Sequence, residues 1–404
     1  MQPTVPAFRM SRTEFVALMA MMLASVAFSI DAMLPAFPEI GAELSPERPQ
    51  NASLILSFFL FGLGAGTFVT GPISDAFGRK RVVLAFVGLF MLGSLLAWAS
   101  PSLETVLLGR VLQGVGAAGP RVIAMAIVRD RFQGRQMAQI ASLIMMIFTL
   151  VPAMAPLLGS FIISLTGWRG IFLAFILFAL IYSLWMVMRL PETLPPENRR
   201  PLRLSLMFAA LKEMLQHPVV RLSILVQTLV SSMLFLTLML VQPIYDTVYG
   251  RGDEFAFWFF GIALVSGTAS LLNALLVIRL GMQRLVITTL GVQIIVSGAM
   301  VLFDLGAGPN GFYFFVVWQL FIFFQAGLTI GNLNALAMEP MGHIAGMAAS
   351  VIGSVSTVGA VMISGPLGTL LEVDQHTLGN AALVLATIGF VAMVRMQRAT
   401  VATA

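Results

Sequence analysis

Long apolar runs, separated by short segments in which the charged residues gather, dominate the pattern of this chain. A helix needs about 20 apolar residues to cross the hydrocarbon core of a bilayer. Twelve runs meet that length, at roughly 14–36, 51–73, 82–100, 103–128, 137–163, 169–190, 220–245, 255–278, 285–304, 311–337, 343–371 and 378–395. A membrane barrel would show short segments of alternating polarity instead, and the chain has none. Several runs contain Gly and Pro. Helices in a bilayer tolerate both, because neighbouring helices re-satisfy the freed backbone groups. The pattern predicts an all-α membrane protein with twelve transmembrane helices.

The longest polar interruption spans 191–219. It is rich in proline (Pro191, Pro195, Pro196, Pro201) and holds a short amphipathic stretch, Leu202–Leu215. It divides the chain into an N-terminal six-helix half (1–190), a linker (191–219) and a C-terminal six-helix half (220–404). The halves echo each other. Gly78-Arg79-Lys80-Arg81 follows the second run, and Gly281-Met282-Gln283-Arg284 follows the eighth. Ala155-Pro156-Leu157-Leu158-Gly159 lies in the fifth, and Gly365-Pro366-Leu367-Gly368 in the eleventh. Two pseudo-symmetric halves place a binding site between them near the midplane.

Composition agrees. Apolar residues make up 58% of the 404 and charged residues 10%, where a soluble domain carries about a quarter charged. The net charge of +5 could suggest a nucleic-acid partner, but the distribution of charge excludes one. With the N-terminus inside, Arg9, Arg12, Arg79, Lys80, Arg81, Arg129, Arg131, Arg135, Arg199, Arg200, Arg203, Arg395 and Arg398 all fall on the cytoplasmic side. Glu39, Glu43, Glu47, Asp253, Glu254, Glu372 and Asp374 fall outside. This is the positive-inside pattern, and it predicts both termini in the cytoplasm and membrane lipid as the partner of the basic face. Arg9 and Arg12 precede a first run too long for a cleaved signal, so it reads as a retained helix. The chain has no cysteine, which excludes disulfides and thiol chemistry. His217, His343 and His376 are far apart and read as loop residues, so no metal site is expected. No HExxH, GxSxG or GxxxxGK[ST] occurs, and no close carboxylate pair lies in a span. Enzymatic chemistry and ATP hydrolysis are therefore not expected.

The few charges that remain in or beside spans carry the candidate chemistry. Asp75 lies at the end of the second run, in Gly71-Pro72-Ile73-Ser74-Asp75-Ala76-Phe77-Gly78-Arg79-Lys80-Arg81. A helix C-terminus disfavours an anion, so Asp75 needs partners, either the following arginines or another helix's N-terminus. It is open whether the segment is a solvated turn or a latch holding one conformation shut. Gly71 would admit close helix packing, and Gly78 a tight turn. Arg110 is deep in the fourth run, where lipid exposure is untenable. It is either a structural hub bonded to backbone carbonyls or a functional group in the cavity. Arg121, eleven residues on, returns to within about 20° of the same helix face, and it either lines the cavity or snorkels to the inner water. Asp31 is the acidic residue deep in the first run. It is either a cap where that helix ends before Pro35 and Pro38 or a protonatable carrier.

The Gly71–Arg81 segment resembles the loop-2/3 signature of the major facilitator superfamily, and the other marks follow in order. Asp31-Ala32-Met33-Leu34-Pro35-Ala36-Phe37-Pro38 is similar to the first-helix motif of the drug:proton antiporters. Arg110-Val111-Leu112-Gln113-Gly114-Val115-Gly116-Ala117-Ala118 is similar to the fourth-helix motif with its buried arginine, with Arg129-Asp130-Arg131-Phe132 after it. Ala155-Pro156-Leu157-Leu158-Gly159 resembles the fifth-helix antiporter motif. Gly167-Trp168-Arg169 and Pro191-Glu192-Thr193-Leu194 complete a run resembling the Bcr/CflA multidrug and phenicol efflux branch. The resemblance covers residues 11–195 closely and the second half by topology.

It implies a major facilitator fold and a monomeric, multi-pass transporter of a bacterial inner membrane, which is no enzyme. It implies export of small, moderately apolar organic compounds (multidrug or antibiotic efflux) by alternating access. The proton gradient would supply the energy without a cofactor. A specific metabolite exporter or a proton symporter of the same fold is the alternative. Asp31 and Arg110 would couple protons. Gly71, Asp75, Gly78, Arg79, Lys80, Arg81, Arg129 and Asp130 would form the conformational gate. Pro156 and Gly159 would set the antiporter packing. Phe58, Phe61, Arg121, Phe148, Gln227, Tyr245 and Asn332 are the candidate cavity residues.

Overall fold

The computed structural model describes residues 10–202 and 204–403. Arg9 and Arg203, assigned to the cytoplasmic side by sequence, lie outside the described residues. Twelve membrane-crossing helices account for most of the chain: α1 (Arg12–Asp31), α2 (Leu54–Phe77), α3 (Arg79–Trp98), α4 (Leu103–Arg131), α5 (Gly134–Thr166), α6 (Gly170–Arg189), α7 (Pro218–Thr247), α8 (Phe255–Gly267 continued by Ala269–Leu280), α9 (Met282–Leu302), α10 (Gly311–Met338), α11 (Ala345–Leu370) and α12 (Gln375–Thr403). No strand occurs among the described residues. Gly311–Leu370 forms one continuous apolar stretch of 60 residues, but it is two crossings. The 3₁₀ turn Glu339–Ile344 breaks it, with Met341 at φ −107° and ψ 25°.

The first run is the one most altered from expectation. α1 stops at Asp31, the end of the run forms a 3₁₀ turn (Leu34–Ala36), and a short helix (Phe37–Leu44) follows beyond it. Pro35 and Pro38 each remove a donor and start a new helical segment at its first turn. The linker is also more ordered than a Pro-rich segment suggests, since Leu204–Gln216 is helical. Its buried side chains, Met207, Ala210 and Met214, recur at helical spacing. Met214 packs with Val220, Ile224, Ala337, Met341, Ala348, Val351 and Ile352. Phe208 meets Phe68 of α2 at 6.2 Å, and Glu213 meets His343 at 2.8 Å. The linker helix therefore spans from α2 to the α10–α11 turn.

Sequence echoes become structural ones at Gly78 and Gly281. Gly78 joins α2 to α3 with φ 94° and ψ 152°, and Gly281 joins α8 to α9 with φ 76° and ψ 158°. Side-chain-bearing residues rarely adopt that backbone region. Both turns reverse the chain within one residue, at the same end of the molecule, which also carries Lys80, Arg81, Arg129 and Arg131 and is called the basic end below.

Two seams join the halves. α2 packs along α11, and α5 packs on the first segment of α8. At the end opposite the basic one, the turns around the short helix rest on α7 and α11, and Gln50 Nε2 donates to Thr369 O at 2.9 Å. That end is closed. Toward the basic end α5 and α8 diverge. The second segment of α8 packs on α9 and α10, and most side chains of Ala269–Leu280 and of the first half of α5 are exposed. A cavity therefore opens between the halves toward the basic end.

Candidate functional site

Arg110 sits at the centre of the N-terminal half and is fully buried. Its Nε donates to Ile55 O at 3.1 Å and its Nη2 to Ser29 O at 2.9 Å. Nη1 donates to Gln113 Oε1, and the guanidinium lies 4.3 Å from the Phe59 ring centroid. Gln113 Nε2 donates to Ser94 Oγ at 2.7 Å. One planar, five-donor group thus ties α1 and α2 to α4, and Gln113 beside it ties α4 to α3. The glycines of α4 make this possible, because a side chain at Gly114 would strike the α2 backbone at Phe59 and Leu63.

Asp31 is 5% exposed at the last residue of α1. Among the described residues its carboxylate has neither an ion-pair nor a hydrogen-bond partner. It is not the cap of α1, which closes through Ala32 N–H to Phe28 O. Nor does it meet Arg110, whose guanidinium reaches the backbone two residues earlier in α1. Gly159 of α5 lies directly on the next residue: a Cβ built there would sit 3.0 Å from Ala32 C and 3.1 Å from its Cα. The first-helix and fifth-helix motifs therefore meet at Asp31. Pro156, one turn before Gly159, is buried within the same helix.

A second cluster forms the basic-end turn. Arg79 pairs with Asp75 at 2.5 Å and with Asp130 at 3.0 Å, and also donates to Ser74 Oγ at 2.6 Å. Of the two partners sequence left open for Asp75, the following arginine is the one observed. α11 instead approaches α2 at Gly71, where a Cβ would come 3.2 Å from Ser350 Oγ. Lys80 Nζ donates to the carbonyls of Val187 and Leu190 at the end of α6. Arg81 and Arg129 are exposed. Sequence reasoning did not place Glu192 in this site. Its carboxylate accepts from the backbone N–H of Arg79 at 3.0 Å and of Lys80 at 3.1 Å, occupying the N-terminus of α3, where an anion is favoured. Thr193 Oγ1 donates to Asp130 Oδ2 at 3.1 Å, and Arg200 N to Asp75 O at 3.0 Å. The signal was the Pro191-Glu192-Thr193-Leu194 run, whose partner lies 112 residues upstream. Similarly, Gly167-Trp168-Arg169 is explained by Glu43, which accepts from Trp168 Nε1 and Arg169 Nη1, both at 2.7 Å.

The candidate cavity residues separate. Phe58 and Phe61 share one face of α2, where with Leu54, Val361, Pro366 and Leu370 they line an apolar groove of about 550 Å³ between α2 and α11. Tyr245 is a packing residue. Its hydroxyl donates to Gln319 Oε1 at 3.0 Å and its ring contacts Phe255, Phe312 and Phe315. Asn332 donates to Asn273 Oδ1 at 2.6 Å and ties α10 to α8. Phe148 packs half-buried against the core. Gln227 is buried with its Oε1 unpaired, and Gln325 has both amide atoms unpaired. Arg121 is exposed although it lies well inside the span of α4. Among the described residues no cluster of His, Cys, Asp and Glu could hold a metal ion.

A model of the Major Facilitator Superfamily matches residues 17–364. The uncharacterized MFS-type transporter YdgK of Bacillus subtilis is 30% identical over 377 residues, which cover 90% of each chain. The bicyclomycin resistance protein homolog of Haemophilus influenzae is 31% identical over 371 residues, 90% of this chain and 89% of that one. Among solved structures, a D-xylose-proton symporter superposes with a TM-score of 0.72 at 14% identity, over 95% of this chain and 97% of that one. The chain belongs to the Major Facilitator Superfamily, a family of membrane transporters and not of enzymes.

Proposed function

We propose that this transporter exports small, moderately apolar organic compounds, drugs among them, in exchange for protons. The observation that carries the reading is the Asp31 carboxyl. It is buried, has no cation beside it, and lies where Gly159 brings α5 onto the end of α1. Ionisable groups inside a membrane protein are costly and mark function. A carboxyl held without a partner can take up a proton when one side is accessible and release it when the other is. The 31% identity to a bicyclomycin resistance protein homolog supports drug export over the metabolite alternative.

The residues 1–190 and 220–404 act as the two rocking units, and 191–219 as the strap between them. The Asp75–Arg79–Asp130 cluster, with Glu192 docked on it, holds the basic end of the first unit rigid. Arg110 holds α1 in place beside the carrier rather than carrying the proton. A ligand shifts such an equilibrium only through different affinities for the two states, so substrate and proton alternate at the cavity. The proton gradient is the energy source, with no cofactor. The protein acts as a monomer in a bacterial inner membrane, with lipid around it, and the basic end faces the cytoplasm with both termini.

The test uses everted membrane vesicles whose lumen is acidified by respiration. Phenicols or an anionic dye such as fluorescein are added, and loss of the pH gradient is followed. The wild type is expected to release protons on addition of substrate, and Asp31→Asn to release none. Full substrate-driven release by Asp31→Asn would overturn the assignment.

A further inference from the structure

Arg110 and Arg121 lie on one face of α4, since eleven residues bring the helix back to within about 20°. Their surroundings differ. Arg110 is buried and donates to three acceptors. Arg121 has no hydrogen bond, ion pair or ring contact among the described residues. It stands ten residues before the end of α4 at Arg131, about 15 Å from that end at 1.5 Å per residue, which is too deep for the side chain to snorkel to the surface. Arg110 on the same face points at α1 and α2, so this face looks into the bundle and not at lipid. Arg121 therefore presents an ionised guanidinium to the cavity that opens where α5 and α8 part.

Among the described residues no counter-ion pairs with it. Asp31 lies at the level of Arg110, about 16 Å away along α4. Asp130 is held by Arg79 and Thr193, and Glu14 by Arg189 and Trp185. Charges at membrane depth face water or pair with something. A cation left free in the cavity of a transporter is matched by its cargo.

We propose that Arg121 binds an anionic group on the transported compound, so that the cargo is an organic anion or zwitterion with an apolar body. A carboxylate or sulfonate suits the flat guanidinium fork, which bonds both oxygens at once. The same charge repels cations of similar shape and so sets specificity by exclusion as well as attraction. The assignment rests on the cavity being the transport path.

Fluorescein and rhodamine 123 share a xanthene frame and differ in charge, so they test it directly. Their binding to the purified full-length protein is measured by fluorescence anisotropy for the wild type, Arg121→Gln, Arg121→Met and Arg121→Lys. The wild type is expected to bind fluorescein more tightly than rhodamine 123. Both neutral variants should lose at least tenfold in fluorescein affinity, Arg121→Lys should lie between, and rhodamine 123 binding should hold or tighten. Unchanged fluorescein affinity in the neutral variants overturns the assignment. So does a wild type that binds rhodamine 123 the more tightly, or binds neither dye. The vesicle assay separates the two readings: fluorescein-driven proton release that persists undiminished in Arg121→Gln overturns this inference alone, whereas a wild type that never releases protons overturns the export reading.

Discussion

At the scale of single residues, two charges in the same half of the protein do different work. Arg110 is bound by backbone carbonyls of α1 and α2 and by Gln113, and its removal leaves those buried acceptors without donors. Hydrogen bonds to a charged donor contribute about 1.5–3 kcal/mol each. Arg110→Ala is accordingly expected to lower thermal stability by about 3 kcal/mol, read as a melting shift in detergent, and Arg110→Lys by less, because an ammonium cannot hold the fork geometry. Asp31 makes no such bonds, so Asp31→Asn should melt with the wild type while losing proton coupling. A melting shift in Asp31→Asn as large as that in Arg110→Ala would make Asp31 a structural residue and sink its assignment as carrier.

At the scale of elements, the basic-end turn depends on one backbone conformation and one carboxylate. Gly78 at φ 94° is strained for any other residue, and a Cβ there would come 2.8 Å from Glu192 Oε2. Gly78→Ala is expected to cost about 1–3 kcal/mol and to expel Glu192. Glu192→Ala, which leaves the turn intact and removes the cap of α3, should cost about 0.5–2 kcal/mol. The linker is docked through this contact, so both variants should speed tryptic cleavage after Arg199. Unaltered cleavage in Gly78→Ala would show that the contact does not hold the linker. The turn also shows what was legible in the sequence. The Gly78 and Gly281 turns, the paired halves and the twelve spans could be read, because hydrophobic length and glycine position are local signals. The broken end of α1 was marked only by Pro35 and Pro38. Glu192 and Glu43 could not be placed, because their partners are more than 100 residues away in the chain. Which neighbours Phe58 and Phe61 face could not be read either, because an apolar helix surrounded by lipid and by other helices has no polar face to orient it; they lie in the groove between α2 and α11.

At the scale of the whole molecule, the seams between halves must slide or part for access to alternate, whichever side is open. The structure supplies a measurement of this. At the α5–α8 crossing, a Cβ built on Gly267 lies 2.9 Å from Thr149 Cγ2, so two cysteines there fall close to the 3.5–4.5 Å Cβ separation a disulfide needs. The chain has no native cysteine, so Thr149→Cys/Gly267→Cys would introduce the sole pair. Beyond the crossing the second segment of α8 packs on α9 and α10, so the Thr149–Gly267 contact lies at the end of the first segment, where that seam must loosen or slide for access to alternate. Oxidation is expected to cross-link the pair and to abolish substrate-driven proton release, with activity restored by reduction. Binding of substrate from the basic end should survive the cross-link, because the cavity on that side lies beyond it and stays open. Full transport by the cross-linked protein would mean that α5 and α8 move as one body through the cycle. The α2–α11 seam at Gly71 and Ser350 would then have to carry all of the motion, and a cross-link placed there would decide it.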